Sequence, residues 1–126
     1  MAVGTETVLL VDDEEIVIGV GRQMLARLGY SVLTAKNGLE AVDIYRENQN
    51  TIGLVILDII MPGLEASETC DKLRALNPAI KVLLSSGYSL DQETKAIMDR
   101  GCSGFIQKPF NMKILEDKIE EIMSRE

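Results

Sequence analysis

Five short, mostly apolar runs recur along the chain: Thr7–Val11, Ser31–Ala35, Leu54–Leu57, Lys81–Ser85 and Gly104–Gln107. They are too short for helices and mostly rich in β-branched and aliphatic residues, which predicts strands. Their apolar positions are consecutive rather than alternating. Both faces of such strands are expected to be buried, as in a parallel sheet with helices on each side. Between the runs lie longer segments with helical spacing. Ile16, Val20, Met24 and Leu28 repeat at four-residue steps, and Gly29 is placed to cap that helix. Leu39, Val42 and Tyr45–Arg46 follow Asn37-Gly38 in a second. A third runs from about Ala66 to Leu76 and stops before Asn77-Pro78. A fourth covers Asp91–Arg100 and ends at Gly101; the last, Asn111–Met123, carries Ile114, Leu115, Ile119 and Ile122.

Strand followed by helix, five times over, predicts an α/β fold. Right-handed crossovers then favour a doubly wound (βα)5 sandwich. In such sheets the site lies outside the carboxyl ends of the strands, near the switch in strand order. The residues that follow each strand therefore matter most. Asp12 and Asp13 follow the first, Asp58 the third, Ser85-Ser86-Gly87 the fourth and Lys108 the fifth; the second is followed only by Lys36-Asn37. With strand order 2-1-3-4-5, three carboxylates share one crevice with a hydroxyl and an ammonium. Each residue also has a plainer reading. Asp12-Asp13 suits a helix N-terminus as cap and dipole partner, Asp58 a turn cap, the serines a turn and Lys108 a solvated side chain. Their shared placement on one sheet edge favours a site.

Two carboxylates about 5 Å apart repel by roughly 3 kcal/mol at an effective dielectric of 20. Three must take up a proton or a divalent cation. Ligands that are all oxygen point to Mg²⁺, with Mn²⁺ as a substitute. Such a site suits a phosphoryl group. Asp58, at the end of the central strand, is the expected nucleophile, forming an aspartyl phosphate. The cation, Lys108 and the Ser86 hydroxyl would surround the transferred oxygens.

Composition narrows the picture further. A chain of 126 residues fits a single domain, here 1–126 with a core from about 5 to 124 and no output domain expected after it. The net charge of −7 argues against nucleic-acid binding, which needs a basic patch. The absence of histidine removes His-based zinc sites, Ser-His-Asp triads and a phosphohistidine within the chain. Cys70 and Cys102 match no metal-ligand spacing and read as core or partly buried thiols in a reducing compartment. No signal-peptide pattern is present, and "LVIL" is cut short by Asp58. A cytoplasmic location with no membrane contact is expected.

Four stretches, "LLVDDEE", "VILDIIMPG", "VLLSSGY" and "GFIQKPF", stand in an order and spacing that resemble the receiver domain of bacterial two-component response regulators. The resemblance covers about residues 5 to 124 and implies a flavodoxin-like sandwich of strand order 2-1-3-4-5. It implies a signalling phosphoacceptor, not a turnover enzyme. Asp58 would accept the phosphoryl group from a histidine kinase or histidine phosphotransfer domain. Asp13, Asp58 and the Ile60 backbone carbonyl would bind Mg²⁺, with Asp12 assisting. Ser86 and Lys108 would contact phosphoryl oxygens, and Phe105 would be the aromatic switch of the β4-α4-β5-α5 face. A cis Lys108–Pro109 bond is implied too. The chain would act as a monomer or a phosphorylation-dependent dimer. Its context would be a single-domain regulator, an excised receiver or the receiver of a hybrid sensor kinase, and so the cytoplasmic part of a membrane-bound protein in the last case.

Some residues depart from the common pattern. Glu65-Ala66 follows where Asp-Gly is usual, the switch residue is Ser rather than Thr, and Phe105 carries no hydroxyl. Ile18, Gly21 and Leu25 form a face displaced from the Ile16 stripe and are expected to dock a kinase helix or widen the core. Two other functions are weighed. A haloacid-dehalogenase-like phosphatase would take its nucleophile from Asp12-Asp13-Glu14 and leave Asp58 without a role. A degenerate receiver would only bind partners. Ile60 and Tyr88 are bulky, non-acidic neighbours of the phosphoryl position, so slow loss of phosphate is expected. Replacing both with Ser should shorten the phosphoryl lifetime in a decay assay, and an unchanged lifetime would refute the steric role.

Overall fold

A computed structural model describes residues 6–59, 66–87, 92–99 and 101–124. Its elements are β1 (Thr7–Val11), α1 (Glu15–Arg27), β2 (Ser31–Ala35), α2 (Gly38–Glu47), β3 (Ile52–Asp58), α3 (Ala66–Leu76), β4 (Val82–Ser86), α4 (Gln92–Asp99), β5 (Gly104–Gln107) and α5 (Met112–Met123). The strands form one sheet, all neighbours parallel, in the order β2-β1-β3-β4-β5.

The continuous apolar runs do what their pattern implies. β1, β3 and β4 are buried over nearly their whole length, whereas β2, on the sheet edge, is half-exposed. Successive side chains point to opposite faces, so each strand feeds two cores. Leu9, Val11, Val55, Leu57, Val82 and Leu84 pack with Val42 and Tyr45 of α2 and Cys70 and Leu73 of α3. Val8, Leu10, Leu54, Ile56, Leu83 and Ile106 pack on the other side with Leu25 of α1 and Leu115, Ile119 and Ile122 of α5. Helix ends use local signals. Asn37 and Asn111 accept hydrogen bonds from the amides of Glu40 (2.8 Å) and Ile114 (2.9 Å). Gly29 takes φ +99° just past α1, a turn that L-residues adopt only under strain. Among the described residues no helix is long and apolar enough to cross a membrane.

Two expectations need correction. β3 and β4 run past their expected ends, so that Asp58 and Ser86 are strand residues and, like Ser85, buried. The second concerns α1. Ile16 is 82% exposed and Val20 48%, while Leu25 is fully buried and Gly21 lies against Leu10. A Cβ on Gly21 would stand 2.8 Å from Leu10 Cδ2, so the helix approaches the sheet at this glycine. Gly21 and Leu25 therefore belong to the core and are unavailable for docking, and Ile18 is half-buried. Residues spaced i, i+3, i+7 share one face as surely as those four apart. Side-chain size misassigned the inner face, because its closest contact uses a residue with no side chain.

Leu25→Ala should cost about 2–5 kcal/mol of unfolding free energy, against no more than about 0.5 kcal/mol for Ile16→Ala, both read from urea denaturation. Equal losses would return Ile16 to the core face.

Candidate functional site

Parallel register brings the site together. Val11 pairs with Leu57, so Asp12 and Asp58 emerge side by side from the two central strands. Asp58 pairs with Ser85, and Ser86 with Gln107, which sets Lys108 one residue beyond. The backbone ladder continues past the strand ends. Asp12 N–H donates to the Ala35 carbonyl (3.1 Å), Ile59 N–H to that of Ser85 (3.0 Å) and Lys108 N–H to that of Ser86 (2.7 Å). Strand alternation then sorts the side chains. Asp12, Asp58, Ser85 and Lys108 follow Leu10, Ile56, Leu83 and Ile106 by two residues, which puts all four on the α1–α5 face. Ser86 follows Leu84 onto the opposite face, which Phe105 shares.

Asp12 and Asp58 are 1% and 3% exposed, unusually low for carboxylates. Lys108 accounts for much of this. Its Nζ lies 2.8 Å from Asp12 Oδ2 and 3.4 Å from Asp58 Oδ2. Burial disfavours its charge, but the hydrogen bond it donates to Asp12 and the two carboxylate charges outweigh that and raise its pKa above the ordinary lysine value. The other oxygen of Asp12 accepts from Glu14 N–H at 3.0 Å. This bond satisfies an amide at the start of α1, whose N-cap Glu14 supplies no side-chain cap. Asp12 is thus both a turn residue and a site residue, so the two readings of the acidic pair are not exclusive.

Asp13 is exposed, yet one oxygen from each of Asp12, Asp13 and Asp58 lies within 4.8 Å of the others. At that separation each pair repels by about 3.5 kcal/mol if the effective dielectric is 20. Three carboxylates and one ammonium leave a surplus of two negative charges (−3 + 1). Oxygen donors, excess negative charge and one open, exposed member fit a hard divalent cation that keeps waters. The group could hold a metal.

A cavity of about 730 Å³ opens from this cluster along α1. Asp12, Asp58, Ser85 and Lys108 line its polar end, and Ile16, Val20, Met24, Pro109 and Phe110 its apolar wall. In the sequence Ser85 reads as the end of the fourth run and part of a turn, without a role of its own. Phe110 was missed, although it completes the quoted "GFIQKPF". Lys108–Pro109 is a cis peptide bond. Ser86 is buried and absent from the cavity lining, and Phe105 is half-buried against the α2–α3 core. Ile60 and Tyr88 lie outside the described residues.

A family model described as "Response regulator receiver domain" matches residues 8–120. The sensor kinase CckA of Brucella abortus is 33% identical over 98% of this chain, which spans 13% of that protein. A probable transcriptional regulator, ycf27 of Porphyra purpurea, is 34% identical over 95% of the chain and 48% of its own length. The chain therefore spans less than half the length of these curated relatives. Among solved structures, the CheX–CheY–BeF3–Mg²⁺ complex of Borrelia burgdorferi superposes with a TM-score of 0.90 at 25% identity, covering 95% of this chain and 90% of that one. The receiver domain of a hybrid histidine kinase CckA gives 0.78 at 32% identity, covering 94% and 99%.

Without divalent cations, Asp13→Asn should raise stability by about 1 kcal/mol, the repulsion expected of a mostly solvated charge. Added magnesium chloride should stabilise the native chain more than the variant in thermal melts. The opposite order would remove Asp13 from the cation group.

Proposed function

The chain belongs to the response regulator receiver family, and from that membership we propose that Asp58 is its phosphoacceptor. A carboxylate oxygen of Asp58 attacks the phosphorus of a phosphohistidine on a partner. The new P–O bond gives an acyl phosphate as the P–N bond breaks and the imidazole leaves. The observation that carries this reading is a buried carboxylate at the central strand end, 3.4 Å from Lys108 and within reach of two further acids. The haloacid-dehalogenase alternative is not favoured, because it leaves this carboxylate unused.

Asp13 and Asp58 would hold Mg²⁺, with Asp12 assisting, and the Ile60 carbonyl is proposed as a further ligand. The ion supplies charge neutralisation at the phosphoryl oxygens. Lys108, always charged at cellular pH, moves from Asp12 and Asp58 to a phosphoryl oxygen. Ser86 is proposed to turn toward another. It shares a sheet face with Phe105 on the neighbouring strand, so vacating its place gives that ring room to move inward. The β4-α4-β5-α5 surface would change with it, by packing alone, because Phe105 has no hydroxyl to offer.

The partner is a histidine kinase or histidine phosphotransfer domain. Its apolar helix would lie on Ile16 and Val20, with Pro109 and Phe110 on the rim, since this wall is exposed and leads directly to Asp58. This replaces the face of Ile18, Gly21 and Leu25. Relatives that include a sensor kinase and a probable transcriptional regulator are consistent with either a kinase-linked or a regulator-linked receiver.

Incubation with acetyl phosphate and Mg²⁺ should add one labile phosphoryl group by intact mass, absent in Asp58→Asn. Ile16→Glu should slow transfer from a phosphohistidine donor protein at least tenfold while acetyl phosphate labelling proceeds as in the native chain. Labelling of Asp58→Asn would overturn the assignment of the acceptor, and equal effects on both donors would overturn the docking face.

A further inference from the structure

Cys70 and Cys102 stand 32 residues apart in the chain, yet their sulfurs are 3.3 Å apart. Both are thiols. Cys70 projects from α3 and is fully buried, whereas Cys102 sits half-buried in the turn that leads into β5. Neither belongs to the acidic cavity, which lies at the opposite, carboxyl end of the strands. A disulfide has its sulfurs about 2.05 Å apart, so closing this pair needs a shift of little more than an ångström. One partner reachable from solvent and one held behind it is the arrangement of an attacking and a resolving thiol.

The surroundings favour reaction at Cys102. The Arg74 guanidinium lies over Gly101, where a Cβ would fall 2.5 Å from its Cζ. Gly101 also takes φ +114°, so a glycine is needed there on both counts. This places a cation beside the neighbouring Cys102. The hydrogen bond with Cys70 lowers the Cys102 pKa most; burial opposes it, Arg74 adds to it and Asp71 weakly counters it. Thiolate character and access are what select a cysteine for oxidation.

We propose that Cys102 and Cys70 form a peroxide-sensitive pair that closes to a reversible disulfide and pins α3 to the α4–β5 turn. The Cys102 thiolate attacks one oxygen of hydrogen peroxide. An S–O bond forms, the O–O bond breaks, and the departing hydroxide takes up a proton to leave as water. The Cys70 sulfur then attacks the resulting sulfenic acid. The S–S bond forms, the S–O bond breaks, and the Cys70 proton leaves with the hydroxide as a second water. Two thiols and one peroxide give one disulfide and two waters. The turn it holds is already tied to β4, since Ser103 N–H donates to the Val82 carbonyl (2.7 Å) and Val82 N–H donates to Ser103 Oγ (3.1 Å). The cross-link adds α3 to that anchorage. Ile97 and Met98 of α4 pack on the same core as Cys102 and Phe105, so α4 is held with it.

The test treats the reduced full chain with hydrogen peroxide, blocks remaining thiols with iodoacetamide and maps peptides by mass. The expected product is an intramolecular link between the Cys70 and Cys102 peptides, two hydrogens lighter than the thiol form and reversed by dithiothreitol. Cys70→Ala should abolish the link, leave Cys102 as a sulfenic or sulfinic acid and slow its alkylation several-fold at neutral pH. Asp58→Asn should cross-link as the native chain does, because the pair works independently of the phosphoryl site. Amides of α4 should exchange with solvent more slowly after oxidation. Recovery of both thiols alkylated, or a link only between two chains, overturns the pair. Unchanged exchange in the cross-linked chain overturns the pinning.

Discussion

Lys108 lies between two buried carboxylates, and the geometry of the sheet edge depends on that contact. Asp12 and Asp58 come from separate strands, and burying a carboxylate is costly unless a cation lies nearby. The lysine comes from the far end of the chain and can meet them only when β1, β3, β4 and β5 are in register. The ion pairs thus report on the sheet from β1 to β5: a shift of one residue in β1, β3 or β5 would send a charge to the opposite face. They also leave the site unbalanced, since one ammonium does not neutralise three acids. That residual charge suits the edge to a cation, the first requirement of the phosphoryl chemistry proposed for it.

The apolar wall beside the acids serves a different end. Ile16 and Val20 sit on the outer side of α1, exposed, while Met24 and Phe110 reach from the wall onto the core. A helix that buries Leu25 while exposing Ile16 would keep folding and the proposed docking on separate faces. The proposed switch residues are separated in the same manner, because Ser86 and Phe105 share the sheet face that looks away from α1 and α5.

Much of this was legible in the sequence. Unbroken aliphatic runs with helical segments between them are compatible with few architectures, and the acids at the strand ends could be located before any coordinate was known. Three features were not legible. In the sequence the inner face of α1 stays open between docking and core, because Gly21 contributes closeness rather than hydrophobicity. The division of labour between Ser85 and Ser86 depends on where β4 stops, and polar residues at a strand end do not declare whether they continue the pleat. The contact between Cys70 and Cys102 spans a strand, a helix and two turns, and nothing in their spacing along the chain signals it.

The bond from the Lys108 amide to the Ser86 carbonyl, 2.7 Å long, links parts of the site otherwise described separately. It couples the residue that carries the positive charge to the residue that carries the buried hydroxyl. Movement at the end of β4 therefore drags the base of the lysine side chain, and a pull on the lysine is felt at the end of β4. The two side chains thus spring from one shared backbone anchor, although each still rotates about its own bonds.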